Sequence, residues 1–158
     1  MAADTDHLTQ ANQSIEEITK DQYLTFFIED EEYAIGIAYI KEIVNNLTIT
    51  QVPQTLSYVA GIVSLRGDII PVINVRCRFM KADKEFDEQT CIVVVEYQEY
   101  QLGLIVDKVK EVMFIEEGNI FPPPNAKLSH VNQFIKNIGK IGDSVKLLLD
   151  LDRFLLQD

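Results

Sequence analysis

Side chains able to do chemistry are sparse in this chain of 158 residues, which holds two histidines, His7 and His130, and two cysteines, Cys77 and Cys91. The cysteines lack Cys-x-x-Cys spacing, and with only two imidazoles beside them they make too few ligands for a structural zinc site. No Walker-type loop and no Gly-x-Gly-x-x-Gly is present to cradle a phosphate, and no Ser/His/Asp arrangement emerges. His130 reads as a solvated loop residue, and the acids cluster in hairpin turns where solvation accounts for them. Arg66-Gly67-Asp68 spells an adhesion tripeptide, but a surface arginine before a turn pair explains it. Pro122-Pro123-Pro124 lacks the Pro-x-x-Pro spacing of an SH3-type ligand and reads as a stiff connector. No catalytic residue, metal ligand or cofactor is therefore assigned. What remains is a recognition surface: Glu42 and Arg66 stand among Tyr39, Ile40, Ile43 and Ile69, an apolar centre with orienting charges.

The stretch Gly61 to Phe79 must position Arg66. It reads as two apolar strands joined at Gly67-Asp68, a Gly-X pair that signals a β-hairpin. That turn pairs Arg66 with Ile69, Leu65 with Ile70, Ser64 with Pro71 and Val63 with Val72. Val63, Leu65, Ile70 and Val72 then share an apolar face, and Arg66 points away from it beside Ile69. Pro71, which has no amide hydrogen, places its strand at a sheet edge or a bulge.

Elsewhere the pattern is also of short strands. Residues 22–37 form a hairpin around the acidic turn Asp30-Glu31. Ala38 to Val44 gives a helical turn leading into a strand, Leu47 to Val52 alternates with period two, and Gln54 to Val59 reads as one helical turn. Val75 to Met80 is helical and Asp83 to Glu88 an acidic loop. A hairpin over 90–106 turns near Tyr97 to Glu99, Lys110 to Ile115 is a strand, and Gly118 to Ser129 is a loop. A last hairpin turns at Gly142-Asp143 before a helix over Leu151 to Leu156. Residues 1–21 are too polar to offset ordering entropy and read as a flexible tail.

An internal repeat runs through these elements. Glu32-Tyr-Ala-Ile-Gly-Ile returns as Glu99-Tyr-Gln-Leu-Gly-Leu, with Gly36 and Gly103 separated by 103 − 36 = 67 positions, and Lys41-Glu-Ile-Val returns as Lys110-Glu-Val-Met. Gly67-Asp68 is echoed by Gly142-Asp143, and Arg78-Phe79 by Arg153-Phe154. Five short strands are too few to be stable alone, so the repeat implies two packed β-barrel-like lobes.

Composition bounds the partners. Lys+Arg 14 against Asp+Glu 25 leaves a net charge of −11, which repels nucleic acid and anionic lipid. The first residues lack a signal peptide's basic and apolar regions and no run reaches membrane-spanning length, so a cytoplasmic protein, monomeric in isolation, is expected.

Gly61-Ile-Val-Ser-Leu-Arg-Gly-Asp-Ile-Ile-Pro-Val-Ile-Asn-Val-Arg, with Asp30 to Ile35 and Lys41 to Val44 upstream, resembles the signature of the CheW family of bacterial chemotaxis coupling proteins. It departs at Ser64, where the family mostly has asparagine, and at Asn74, where it often has aspartate. The resemblance covers residues 22–158 and implies an all-β domain with a few short helices, made of two intertwined, pseudo-symmetric, five-stranded SH3-like β-barrel lobes. It implies a non-enzymatic adaptor between the cytoplasmic tip of a chemoreceptor and the regulatory domain of a CheA-type histidine kinase. Ile40, Glu42 and Arg66 would lie at the receptor groove, with Glu42 and Arg66 near enough to pair and Gly61, Cys91 and Gly103 lining or supporting it. Ile37 would meet the kinase on the first lobe and, by pseudo-symmetry, the region of Val106 to Val112 on the second. A CheW-like module of a phosphorelay protein, a CheA-type or CheV-type fragment, is the nearest alternative; a chain running from Met1 to four residues beyond Phe154 disfavours it unless the chain is such a fragment. A small β-barrel enzyme is the remaining one. Calorimetric titration with ATP and Mg²⁺ should give no saturable heat; one-to-one binding would count against the adaptor.

Overall fold

Branched and aromatic side chains crowd the segments that become strands, because they fit a pleated, half-buried surface. The computed structural model describes residues 19–46, 48–53, 55–123 and 133–156; the readings made for residues 1–18, for Pro124 and for His130 fall outside these. The described residues form eleven strands: β1 Gln22–Ile28, β2 Glu31–Gly36, β3 Ile40–Val44, β4 Val59–Leu65, β5 Asp68–Asn74, β6 Cys91–Tyr97, β7 Tyr100–Val106, β8 Lys108–Phe114, β9 Ile120–Phe121, β10 Ile135–Ile141 and β11 Ser144–Leu149. Short helices Val75–Arg78 and Leu151–Leu156 follow β5 and β11, and 3-10 turns cover Ile37–Tyr39 and Glu117–Asn119. The chain is all-β with a few short helices.

Two sheets divide the strands, in the orders β8-β1-β2-β11-β10-β9 and β3-β6-β7-β5-β4. Hairpin β1–β2, from the first half, lies in a sheet otherwise made by the second half, and hairpin β6–β7 does the reverse. Parallel pairing joins each visiting hairpin to its host, β2 to β11 with Ala34 opposite Leu148 and β7 to β5 with Gly103 opposite Val72. Neither sheet closes into a complete barrel by strand pairing.

The repeat holds with a different offset. Turns after β1 and β6 begin at Glu29 and Gln98, so the spacing is 98 − 29 = 69. Lys41 and Lys110 obey it and are the bulged residues of β3 and β8. Gly36 and Gly103, at 67, are not equivalent; Ala34 stands in the place of Gly103. A slip of two residues preserves the inward and outward faces, so hydrophobic pattern cannot expose it.

Turn positions shift as well. Leu65 pairs with Asp68, Ser64 with Ile69, Val63 with Ile70 and Ile62 with Pro71, so Arg66-Gly67 is the turn and Asp68 begins the strand. Both turn residues have positive φ, 52° and 85°, the combination whose twist matches that of the strands. The first hairpin likewise turns at Glu29-Asp30. Strand β5 is interior to its sheet, and Pro71 precedes the first residue paired with β7, so that ladder asks it for no amide hydrogen. Alternation after residue 47 yields only an isolated bridge of Thr50 to Ile62, and the expected helical turn before Val59 is a turn closed by Val59 N–H donating to Leu56 O.

Three apolar clusters follow. The largest lies between the sheets and joins Phe26, Tyr33, Val106, Phe134, Phe154 and their neighbours. Val63, Ile70, Val72, Ile92, Val94 and Ile105 fill the first lobe, and Ala34, Ile115 and Leu148 the second. Each fully buried large side chain is worth about 1.5–3 kcal/mol. Arginines tie the halves together. Arg76 forms a two-pronged pair with Asp107 at 2.8 and 2.6 Å and also reaches Glu29 at 3.3 Å. Arg78 is buried, donates to the carbonyls of Phe154 and Arg153, and lies 4.2 Å from the centre of the Tyr58 ring.

Burial raises the carboxyls of Asp107 and Glu32, but hydrogen bonds outweigh it, from Arg76 to the first and from Lys146 and Lys110 to the second, and both end below their usual values. Groups lowered on folding contribute stability above the unfolded pKa and lose it as pH falls through the folded one. The urea midpoint should hold from neutral pH to about 5 and fall below about 4, with a shallower fall in Asp107→Asn.

Gly61 is built into the β4 bulge at φ 150°, where an added Cβ would lie 2.2 Å from the Thr50 carbonyl oxygen. Gly61→Ala should therefore cost about 1–3 kcal/mol, or roughly 2–12 °C in Tm; an unchanged melting curve would show that the Thr50 bridge gives way freely.

Candidate interaction surface at the first-lobe seam

Strand β3 is an edge strand, and its bulge at Lys41 sets the site. Ile40 pairs with Val95 and is partly buried against the central core, whereas Glu42 pairs with Val94 on the face of the first-lobe interior. The 3-10 turn Ile37–Tyr39 delivers the chain to this edge and leaves Tyr39 exposed.

Arg66 comes from the β4–β5 turn, at the opposite end of the same sheet. Its Nη1 nevertheless donates to Glu42 Oε1 at 3.0 Å. The sheet has curled until its two sides meet, and a charged pair spans a seam that no backbone ladder closes. Glu42 is largely covered, at 18 % side-chain exposure, while Arg66 is open to solvent at 75 %. Arg66 holds φ 52°, and its counterpart in the second lobe is Gly142 at φ 60°. An L-residue in this left-handed region costs roughly 1–2 kcal/mol, so the arginine occupies a place where backbone preference favours glycine. Tyr39 and Ile43, near Glu42 in the chain, and Ile69, near Arg66, are large, apolar and exposed.

Gly61 and Gly103 pack within the first lobe, and Cys91 lies against the central core. Gly61 receives the Thr50 segment, and a Cβ at Gly103 would press on Ile92 at 2.8 Å and Val72 at 3.3 Å inside the first lobe. Cys91 is half-buried at the start of β6, its thiol donates to Gln89 O, and burial pushes its pKa up, the reverse of an activated nucleophile. Of the residues expected at the kinase surface, Ile37 is half-buried and Val112 exposed on edge strand β8. Val106 is corrected: it has no exposed surface, because its side of β7 faces the central core.

Sequence reasoning missed a groove of about 550 Å³ that begins beside the Arg66 turn, lined by Ile69, Pro71, Tyr97, Tyr100, Leu102 and Leu155. Ile69 and Tyr100 are each more than two-thirds exposed. Only pairing β5 with β7 brings these two stretches together, and no local pattern announces a long-range parallel pair. Among the described residues no set of three or more His, Cys, Asp or Glu is placed to hold a metal, and no helix is long and apolar enough to cross a membrane.

A family model for the CheW-like domain matches residues 22–158. The chain is 37 % identical to the chemotaxis protein CheW of Helicobacter pylori over 138 residues, covering 87 % of this chain and 82 % of that one. Its identity to the CheW of Klebsiella aerogenes is 27 % over 139 residues, 88 % and 84 % of the two chains. The crystal structure of scaffolding protein TtCheW from Thermoanaerobacter tengcongensis superposes with a TM-score of 0.81 at 32 % identity, covering 87 % of this chain and 94 % of that one. Two lobes of curled sheet, an exchanged pair of hairpins and a family match over nearly the whole chain lead to one assignment: this chain belongs to the CheW-like family of chemotaxis scaffolding and coupling proteins.

Proposed function

We propose that this chain is a non-enzymatic, cytoplasmic adaptor that couples the cytoplasmic tip of chemoreceptors to the regulatory domain of a CheA-type histidine kinase. The observation that carries the reading is the seam of the first lobe. Glu42 and Arg66 meet there at 3.0 Å, with Tyr39, Ile43 and Ile69, close to them in the chain, exposed. An apolar centre with a charged, orienting rim is how protein interfaces are composed, and the backbone strain at Arg66 is the kind that persists where a side chain is needed for function.

Receptor contact is assigned to Ile40, Glu42 and Arg66, with Gly61, Cys91 and Gly103 holding the strands behind them. Kinase contact is assigned to Ile37 on the first lobe and to the exposed part of β8 around Val112 on the second. An adaptor needs separate surfaces for separate partners; Val112 lies on edge strand β8 of one sheet and Glu42 on edge strand β3 of the other, with Ile37 in the turn that leads into β3. The mechanism is positional: contacts are individually modest and gain strength by multivalency in an array, which keeps the assembly reversible.

Alanine at Glu42 or Arg66 should weaken receptor-tail binding while leaving the fold intact, since an exposed pair contributes only ~0.2–1 kcal/mol to stability. Arg66→Gly should fold as well as the parent or better, because relief of left-handed strain offsets the lost pair, yet should bind as poorly as Arg66→Ala. Arg66→Glu should be worse still, and adding Glu42→Arg should recover part of the binding. A double-mutant cycle on receptor-tail affinity decides whether the two act as one unit: losses that add to within ~0.3–0.5 kcal/mol would mean they act separately. If neither a receptor tail nor a kinase regulatory domain binds the parent protein, the adaptor reading itself fails.

A further inference from the structure

The offset of 69 that relates the first parts of the two halves has a companion. Gly103 stands opposite Val72 and Ala34 opposite Leu148, which sets 148 − 72 = 76 between β5 and β11. Together the two offsets carry the first-lobe seam onto the second lobe. Glu42 falls on Glu111, which pairs with Thr25 just past the bulge at Lys110, as Glu42 pairs with Val94 just past Lys41. Arg66 falls on Gly142, the first residue of the β10–β11 turn. Ile43 and Ile69 fall on Val112 and Val145, and all four are exposed. The cores beneath correspond as well: Val44 and Leu65 pack against the first-lobe cluster, and their counterparts Met113 and Ile141 pack against the second. Each lobe therefore draws its edge strand and its turn over one core.

Only the cation is missing from the second seam. Gly142 holds φ 60°, close to the 52° of Arg66, and nothing lies within 4 Å of a Cβ built on it. Among the described residues the exposed Glu111 carboxylate has no ion-pair partner. Lys110 beside it in the chain is committed to Glu32 at 3.0 Å, and Lys140, opposite Val145 in the β10–β11 ladder, forms no pair with it.

We infer that the second-lobe seam is a docking site for a partner protein that lays an arginine-bearing turn over Gly142, its guanidinium pairing with Glu111 and an adjoining apolar side chain resting on Val112 and Val145. The first lobe shows this chemistry within one chain: the equivalent carboxylate accepts from a guanidinium at 3.0 Å, with apolar residues exposed in both contributing segments. A guanidinium suits the place better than an ammonium, because it is more weakly hydrated and meets a carboxylate with a planar fork of donors. A net charge of −11 attracts a cationic surface from a distance. Glycine at 142 adopts the left-handed turn without strain and leaves the entrance open. An arginine supplied from outside makes the pair contingent on binding, whereas Arg66 makes it part of the fold. Which protein carries the arginine follows from the assignment of β8 around Val112 to the kinase regulatory domain and rests on that reading; the site does not.

The full chain, labelled with ¹⁵N, is titrated with the blocked peptide acetyl-Gly-Leu-Arg-Gly-Ile-Gly-amide and with the same peptide carrying citrulline, a neutral isostere, in place of arginine. The arginine peptide should give saturable amide shifts over residues 111–112 and 142–145, several-fold weaker with citrulline and lost in Glu111→Gln. Gly142→Arg, which builds the first-lobe pair into the second lobe, should block the peptide as well. Both variants should bind the kinase regulatory domain several-fold more weakly and a receptor tail as the parent does. Equal binding of the two peptides, shifts scattered over the surface, or no saturable shift at millimolar peptide would overturn the site. A kinase domain that binds the parent and both variants alike would overturn the carrier. One that does not bind the parent would overturn the carrier together with the adaptor reading, while the peptide titration still decides the site.

Discussion

The structure depends on one constraint: a two-stranded hairpin cannot stand alone in water, and neither half of this chain keeps its own first hairpin. Strands β1 and β2 find their apolar partners in β8, β10 and β11, and β6 and β7 find theirs in β3, β4 and β5. Neither lobe is therefore complete without residues from both ends of the chain. The largest cluster, between the sheets, exists because each lobe turns the second face of its visiting hairpin toward the other, as Phe26 and Tyr33 do from one side and Val93 and Leu104 from the other.

That exchange explains where the charged contacts sit. Arg76 and Arg78 follow β5 on the short helix Val75–Arg78, between the lobes, and each binds residues far away in the chain: Asp107 for the first, the carbonyls of Arg153 and Phe154 for the second. The offset that aligns β5 with β11, 148 − 72 = 76, sets Arg78 against Phe154, so a buried guanidinium over the Tyr58 and Phe134 rings stands where the second half has a buried aromatic ring. The pseudo-symmetry is one of backbone. Side chains depart from it wherever one lobe must hold the other.

Much of this was legible in the residues. Period-two alternation and turn chemistry gave nearly every strand, the repeat gave two lobes, and the short helices at Val75 and Leu151 were expected where they stand. The pairing of Glu42 with Arg66 followed from the CheW resemblance and is present. What was not legible depends on tertiary pairing. A Gly-Asp turn and an Arg-Gly turn differ by one residue and leave the same faces inside, so pattern alone could not choose between them. Val106 was placed on a surface by pseudo-symmetry with the first lobe, but burial is decided by what packs across the strand, and there it is the central core. The groove at Ile69 and Tyr100 is created by a parallel pair whose members are widely separated in sequence.

The two lobes resolve the same geometric problem with charge in opposite places. In the first, the buried cluster is wholly aliphatic and the charged pair lies at the seam, Glu42 largely covered and Arg66 open to solvent. In the second, the charged pair, Glu32 with Lys146, lies inside, and the turn position equivalent to Arg66 is Gly142. Glu111, the counterpart of Glu42, meets no arginine from that turn. An interior pair is shielded from salt and water; a seam pair is screened, weak and open to competition. Only the second kind can be traded for contacts with a partner without unfolding the lobe that carries it. The otherwise equivalent lobes therefore differ in where charge sits, one burying an ion pair between residues of the chain's two halves and the other presenting a charged, strained turn to the outside.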